Sequence, residues 1–119
     1  MKQPLFIQNG RVERGTTAAR TIGFPTANIP FEEPDLSGTY AGKVIVGDAE
    51  YRAAVYANQE RQVLEAYLFD FSGNLYGKQI TIMLFEKLAD AERFRDSKDQ
   101  KTFIEWAVSE VRKYFNREE

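Results

Sequence analysis

The stretch Tyr40–Ala57, YAGKVIVGDAEYRAAVYA, decides the fold class, because it holds two β-rich segments on either side of a turn. The first segment covers Tyr40–Val46 and stops at Gly47-Asp48, a residue pair typical of turns. The second segment, Tyr51–Ala57, follows almost at once. We therefore predict a β-hairpin over these residues.

Further β-rich segments flank this hairpin. A candidate strand lies at Gln8–Glu13, and the longest apolar run, Gln62–Phe71, ends at the turn Ser72-Gly73-Asn74. The last clear strand is Gln79–Phe85. No helical pattern separates these segments, which predicts a mainly β protein built as an antiparallel meander or barrel.

The C-terminal segment changes period. Its apolar residues recur with the spacing of one helix face, at Phe103, Ile104, Ala107, Val108, Val111 and Phe115. We predict an amphipathic α-helix over about residues 97–116, packed on the barrel. The chain has 119 residues without an internal repeat or linker, so we expect one domain covering 1–119.

The charge balance argues against polyanionic partners. The chain has 16 basic and 18 acidic residues, so no basic excess exists to bind a phosphate backbone or an anionic membrane. We predict that neither nucleic acid nor a membrane is a partner. The N-terminus lacks the apolar stretch of a secretory signal, so the cytoplasm is the expected location.

The composition also limits the chemistry. Without cysteine or histidine, the chain has no disulfide, thiolate nucleophile, Ser-His-Asp triad or Cys/His zinc site. Carboxylate, Lys, Tyr, Ser and Thr chemistry remains, together with hard cations that prefer oxygen ligands. This favours a carboxylate base and Mg²⁺-assisted phosphoryl transfer or hydrolysis.

Two N-terminal segments are candidates for anion or metal binding. The glycines of Gly10–Gly15 let backbone N–H groups approach an anion, although a plain strand and turn also fits. In Gly23–Asn28, GFPTAN, Pro25 holds the chain extended, so Thr26 and Asn28 point to the same face. Their oxygens suit Mg²⁺ or phosphate. The alternative is a local turn in which both side chains bond the backbone.

Two later segments are also candidates. Glu65 interrupts the most apolar strand, where a carboxylate in a partly apolar cleft can act as a general base. The alternative is that Glu65 lies on a solvent-exposed face of that strand. The glycine in Leu75-Tyr76-Gly77-Lys78 permits close approach of a ring or phosphate, or simply a loop that re-enters a strand.

Together these pieces resemble the riboflavin kinase (flavokinase) family. Its signature is G-x-V-x-x-G, then Arg, then G-F-P-T-A-N, followed by G-[VT]-Y-A, a Glu opening a strand that ends in [LF]-D-F, and L-Y-G. This sequence matches in the same order with Gly10–Gly15, Arg20, Gly23–Asn28, Gly38–Ala41, Glu65–Phe71 and Leu75–Gly77. The resemblance extends from about Gly10 to Phe115.

The resemblance implies a small closed, Greek-key-like antiparallel β-barrel with a C-terminal helix. It implies transfer of the γ-phosphoryl group of ATP to the 5′-hydroxyl of riboflavin, with Mg²⁺ or another divalent cation. Riboflavin/FMN and ATP/ADP would then be the partners of a monomer. The chain resembles the C-terminal domain of bifunctional riboflavin kinase/FAD synthetase. It is either a stand-alone kinase module, which the initial Met favours, or one domain of a longer protein. The alternative is a non-catalytic flavin- or nucleotide-binding module of the same fold.

The resemblance also implies residue roles. Glu65 would be the general base, and Thr26 and Asn28 would hold the metal. The flavin would contact Arg93 and Phe94. Nucleotide binding would fall to Gly10, Val12, Gly15, Arg20, Gly23, Phe24, Pro25, Thr26, Leu75, Tyr76 and Gly77.

The flavin half departs from the family pattern. The stretch Leu88–Phe94 aligns with L-R-D-E-x-x-F but has Ala89 in place of the Arg. Ala107 stands where the terminal helix of the family has an Asp. The segment between Tyr51 and Glu65 lacks the usual G-x-x-P-T element. We therefore expect the nucleotide half to be the more typical part of the site.

Overall fold

Six β-strands and one α-helix form the part of the computed structural model that is described, residues 3–13, 26–91 and 97–118. The elements are β1 (Phe6–Arg11), β2 (Thr26–Pro30), β3 (Gly38–Val46), β4 (Ala49–Asn58), β5 (Val63–Leu68), β6 (Gln79–Ala89) and α1 (Ser97–Glu118). The helix predicted over about residues 97–116 thus extends to Glu118.

The predicted hairpin is confirmed. Strands β3 and β4 pair antiparallel from Gly38–Ala57 to Val46–Ala49, and Gly47-Asp48 forms the connecting turn.

The strands lie in the order β1-β6-β3-β4-β5-β2, and every pair is antiparallel. Strands β3, β4 and β5 follow one another, and β6 returns beside β3, which is a Greek-key arrangement. The sheet curls into a half-barrel. Within the described residues its two edges meet at a single antiparallel bridge, Glu13–Asn28, so the predicted closure is limited to that bridge.

The inner face of the curled sheet is an apolar core to which all six strands contribute. Ile29, Leu64, Ile82 and Leu84 are fully buried there. Because side chains alternate across a strand, the residues between these positions point to the outer face. The outer face therefore receives Asn28 and Glu65.

Helix α1 packs on the outer face. The stripe of Ile104, Val108 and Val111 is buried against a second cluster that includes Ala54 and Phe69 of the sheet side. All six residues of β5 are buried, because the core covers one face of the strand and outer-face neighbours cover the other. Burial on both sides explains why β5 reads as a nearly continuous apolar run.

Candidate functional site

Four polar or aromatic side chains form a row across the outer face, which we call the Glu65 row. Asn28 of β2 pairs with Glu65 of β5, Glu65 pairs with Tyr56 of β4, and Tyr56 pairs with Thr39 of β3. Directly opposed residues in an antiparallel pair have Cβ atoms about 4.5–5.5 Å apart. The metal-assigned Asn28 is therefore the immediate neighbour of the base-assigned Glu65.

The adjacent row on the same face, the Tyr67 row, starts at Thr26. Thr26 pairs with Tyr67, and Tyr67 pairs with Ala54. Thr26 and Asn28 thus point to the same face, as predicted from their spacing. Both lie in a regular strand paired with β5, so the alternative of a local turn is wrong.

Glu65 is buried, with only 6% of its surface exposed, so the alternative of a solvent-exposed face is wrong. Three groups contact its carboxylate. Asn58 Nδ2 donates to Oε2 at 2.9 Å, and Arg61 Nη1 lies 3.8 Å from the same oxygen. The hydroxyl of Tyr67 donates to Oε1 at 3.4 Å. These contacts offset the free energy of burying a carboxylate in apolar surroundings.

Tyr67 serves only as a proton donor in this arrangement. Burial raises the pKa of its hydroxyl far above the usual value, and the charge of Glu65 and the hydrogen bond to it act in the same direction. The tyrosine therefore stays protonated at neutral pH, and its O–H remains directed at Glu65.

Two buried oxygens on the outer face have no hydrogen-bond partner among the described residues, Asn28 Oδ1 and Thr39 Oγ1. An unpaired buried acceptor is unfavourable, and a bound ligand can satisfy it. Asn28 Oδ1 and the Thr26 hydroxyl are hard oxygen donors on one strand face, which fits Mg²⁺. No cluster of three acidic side chains that could cage a metal occurs in the described ranges. A site with few protein ligands matches Mg²⁺ bound largely through substrate phosphates.

Three of the residues that the resemblance assigns to nucleotide binding, Val12, Leu75 and Gly77, lie close together. The Val12 N–H donates to Lys78 O at 2.9 Å, and the Gly77 N–H donates to Val12 O at 2.9 Å. The Lys78 N–H donates to Leu75 O, closing a turn in which Gly77 has φ of 81°. A type II turn requires this positive φ at its third residue, which explains the glycine.

The side chains of this group divide between core and surface. Val12 and Leu75 are buried in the inner core, whereas Tyr76 is 52% exposed at the tip of the turn. A Cβ on Gly10 would lie 3.0 Å from Ile29 Cβ, so this glycine allows β1 to approach β2 closely.

The nucleotide-assigned and base-assigned groups form one continuous region. Val12 pairs with Gly77, and the next residue, Glu13, donates its N–H to Asn28 O at 2.7 Å. Asn28 in turn pairs with Glu65. The two edges of the sheet therefore join at strand β2, which carries the metal-assigned Asn28. This strand lies between the turn at Gly77 and the carboxylate of Glu65.

A small cavity of about 20 Å³ opens beside the Glu65 row, under the second and third turns of α1. Its lining includes Thr39, Tyr56, Tyr67, Phe103 and Ala107. Ala107 is one of the two alanines that depart from the family pattern, and the other, Ala89, pairs with Thr39 across β3 and β6. Thr39 is thus a neighbour of both alanines.

Several predicted site residues lie outside the described residues. These are Gly15, Arg20, Gly23, Phe24, Pro25, Arg93 and Phe94.

Sequence reasoning missed Asn58, Arg61 and Thr39 as neighbours of the site and named Tyr67 only within the same strand. Asn58 could have been found from its position, because it is a polar residue at the end of the strand before Glu65, seven positions upstream. Thr39 lies in the G-[VT]-Y-A element, but the resemblance assigns it no role, and a threonine in a β-rich segment is otherwise ordinary.

Comparisons with known proteins agree with the motifs. The family profile for riboflavin kinase (Flavokinase) matches residues 1–115. The chain is 35% identical over 123 residues to the bifunctional riboflavin kinase/FMN adenylyltransferase of Buchnera aphidicola subsp. Acyrthosiphon pisum, covering 94% of this chain and 39% of the relative. It is 35% identical over 116 residues to the protein of that name from Haemophilus influenzae, covering 90% and 38%.

The match to the Escherichia coli K12 protein of the same name is 33% identical over 119 residues and covers 92% of this chain and 38% of that protein. The chain thus spans less than two fifths of these curated relatives. Among solved structures, a macrolide-efflux protein from Streptococcus pneumoniae has a TM-score of 0.72 at 22% identity, over 92% of this chain and 37% of that one. This likeness concerns the fold alone. In the described ranges, no helix has the length and apolarity needed to cross a bilayer.

Proposed function

Because the chain belongs to the riboflavin kinase family, we propose that it transfers the γ-phosphoryl group of ATP to the 5′-hydroxyl of riboflavin, yielding FMN and ADP. The family assignment rests on a match over nearly the whole chain, and the cross-strand arrangement around Glu65 supports the chemistry. Phosphoryl transfer needs positioning, charge neutralisation and a base, and it needs neither of the two residue types that the chain lacks.

In this reaction Glu65 accepts the proton of the riboflavin 5′-hydroxyl. The hydroxyl oxygen forms a bond to the γ-phosphorus, the bond from that phosphorus to the β,γ-bridging oxygen breaks, and the electron pair leaves with ADP. Burial excludes bulk water from the carboxylate. Asn58 and Tyr67 donate to it without using all its lone pairs, so it can still act as an acceptor.

Thr26 and Asn28 would hold the divalent cation through the hydroxyl and Oδ1. The unpaired state of Asn28 Oδ1 among the described residues supports this assignment. A cation bound there neutralises negative charge on the phosphates of the nucleotide. Asn28 is also the cross-strand neighbour of Glu65, so the phosphate and the base would lie side by side.

The nucleotide and flavin would lie on opposite sides of this centre. The turn at Leu75–Gly77 contacts Val12, and the exposed ring of Tyr76 offers a surface for a purine base. Tyr56 and Tyr67 flank the other side of Glu65, towards the cavity at Thr39 and α1. We assign the flavin to that side. A monomer in the cytoplasm stays the prediction for the assembly and its location.

The single observation that carries the proposal is the β2–β5 register, which sets Asn28 opposite Glu65 and Thr26 opposite Tyr67. A slip of one residue would send these side chains to the inner core.

The test is conversion of riboflavin to FMN with ATP and Mg²⁺, read by chromatography, with and without EDTA. We expect FMN from the wild-type chain, loss of product with EDTA, and a kcat lowered about 10²- to 10⁴-fold in Glu65→Gln. Glu50→Gln is the matched control, because Glu50 is exposed at the start of β4 and pairs with Lys43. Full activity of Glu65→Gln would show that this carboxylate is not the base.

The alternative is a module that binds flavin or nucleotide without turnover. Ala89 and Ala107 favour it, since both replace polar residues of the family pattern and both adjoin Thr39. Quenching of riboflavin fluorescence without FMN formation supports this alternative, whereas product formation excludes it.

A further inference from the structure

The β4–β5 hairpin contains a polar contact that the family motifs do not include. Asn58, the last residue of β4, donates Nδ2–H to Glu65 Oε2 at 2.9 Å. Its Oδ1 accepts the backbone N–H of Arg61 at 3.1 Å. The amide orientation follows from these partners, since a backbone N–H needs an acceptor and a carboxylate needs a donor.

We propose that Asn58 is the positioning residue of Glu65: it holds Oε2 and leaves Oε1 as the oxygen that receives the substrate proton. This inference rests on the proposed function. It concerns how the carboxylate is held, and the motif residues alone do not address that question.

The contacts of the two carboxylate oxygens differ. Oε2 accepts the Asn58 bond of 2.9 Å and also faces Arg61 at 3.8 Å. Oε1 is contacted by the Tyr67 hydroxyl at 3.4 Å, which is long for an O–H···O bond. The more weakly bonded oxygen keeps more of its accepting capacity, so Oε1 is the better base.

Asn58 itself is held by the loop that follows it. Gln59 Nε2 donates to Glu33 O at 2.8 Å and to Leu36 O, and both carbonyls belong to the β2–β3 connection. The Phe31 N–H donates to Gln62 O at 3.1 Å from the same connection. The loop after Asn58 is therefore attached at two points to the β2–β3 connection, which follows the strand that carries Asn28. The same loop supplies the Arg61 N–H that holds the Asn58 amide, so the amide is oriented by the folded chain itself, which is the condition for effective preorganisation.

The substitution that removes this donor with the smallest change of shape is Asn58→Asp. An aspartate keeps the acceptor for the Arg61 N–H, but it cannot donate to an ionised Glu65 and it places a like charge beside that carboxylate. A hydrogen bond to a charged group contributes enough to predict a kcat lowered about 10- to 100-fold. We expect the KM for riboflavin to change less than about 3-fold, because in this proposal the substrate hydroxyl bonds Oε1 and not the oxygen that Asn58 holds.

The experiment is a double-mutant cycle of Asn58→Asp and Glu65→Gln, with kcat for FMN formation as the readout. If Asn58 acts through Glu65, Asn58→Asp changes kcat less than about 3-fold in the Glu65→Gln background. Asn116→Asp is the control, since Asn116 is exposed near the end of α1 and the chemical change is the same. If Asn58→Asp does not fold, Asn58→Ser replaces it in the cycle, because a serine caps the loop but is too short to reach Glu65.

Equal losses of kcat in both backgrounds would mean that Asn58 supports only the fold, and the inference would be overturned. A wild-type kcat in Asn58→Asp would also overturn it. Either result leaves riboflavin phosphorylation intact. Absence of FMN from the wild-type chain, in contrast, defeats the proposed function and the inference with it.

Discussion

Replacing Thr39 by valine should stabilise the protein in the absence of ligand. Thr39 is 2% exposed on the outer face, and its Oγ1 finds no hydrogen-bond partner among the described residues. Valine has nearly the same shape and replaces the hydroxyl by a methyl group, so the β-branched side chain still fits between β3 and α1. The change removes an unpaired polar atom from an apolar environment without adding bulk.

The expected gain is about 1 to 2 kcal/mol. An unsatisfied buried hydroxyl destabilises a protein by about 1–3 kcal/mol. The cavity beside Thr39, about 20 Å³, relieves part of this penalty because the hydroxyl is not tightly enclosed. For a domain of this size 1 kcal/mol corresponds to about 4 °C in Tm. The family pattern G-[VT]-Y-A admits valine here, so we expect kcat for FMN formation to stay within about 2-fold.

Urea unfolding followed by circular dichroism measures the change. Thr81→Val is the matched control, because the Thr81 hydroxyl donates to Asn9 Oδ1 at 2.6 Å and its removal should lower stability by about 0.5 to 1 kcal/mol. The two identical substitutions thus have opposite expected signs. A loss of stability in Thr39→Val, or no gain, would refute the reasoning that its hydroxyl is unpaired.

Two further predictions concern the backbone and the buried tyrosine. Gly38→Ala should lower stability by about 3 to 5 kcal/mol in urea unfolding, because φ is 95° and the new Cβ would collide with Ala89 O; Gly47→Ala, with φ of 60° and open space around it, should lose only about 1 kcal/mol. Tyr67 has a raised pKa in the folded state, so its contribution is complete below the unfolded value of about 10 and is lost as the pH rises above it. Stability measured from pH 9 to 11 should therefore fall less steeply in Tyr67→Phe, by up to about 1.4 kcal/mol per pH unit, and equal slopes would contradict the assigned burial.

The strands that sequence reasoning recovered are those whose pattern is set locally. The hairpin of β3 and β4 follows from two β-rich segments and a Gly-Asp turn, and the structure pairs them as expected. The burial of Glu65 could not be read in the same way. An isolated carboxylate in an apolar run fits either a solvent-exposed face of the strand or a buried one. The neighbours that bury Glu65 come from β2, β4 and the loop after β4, which the local sequence does not reveal.

The geometry of the site depends on contacts between residues that are far apart in the sequence. The spacing of Thr26 and Asn28 predicted one shared face, but not which residues would lie opposite them. The contact of Asn58 with Glu65 crosses a hairpin that lacks the G-x-x-P-T element of the family pattern, so no motif could supply it. The partial closure of the sheet likewise depends on a single bridge between residues far apart in sequence.

The outer location of the site follows from how such a small sheet is filled. The inner face is packed by apolar side chains from every strand, which leaves no interior space for a charged group. Polar chemistry must therefore lie on the outer face, and α1 already covers part of that face with its apolar stripe. The region near β2 at the edge of the sheet, where Asn28 and Glu65 meet, is one part of the outer face that carries polar side chains. A buried carboxylate there is tolerable only because Asn58, Arg61 and Tyr67 contact it, so the groups that keep the fold stable are also those that orient the base.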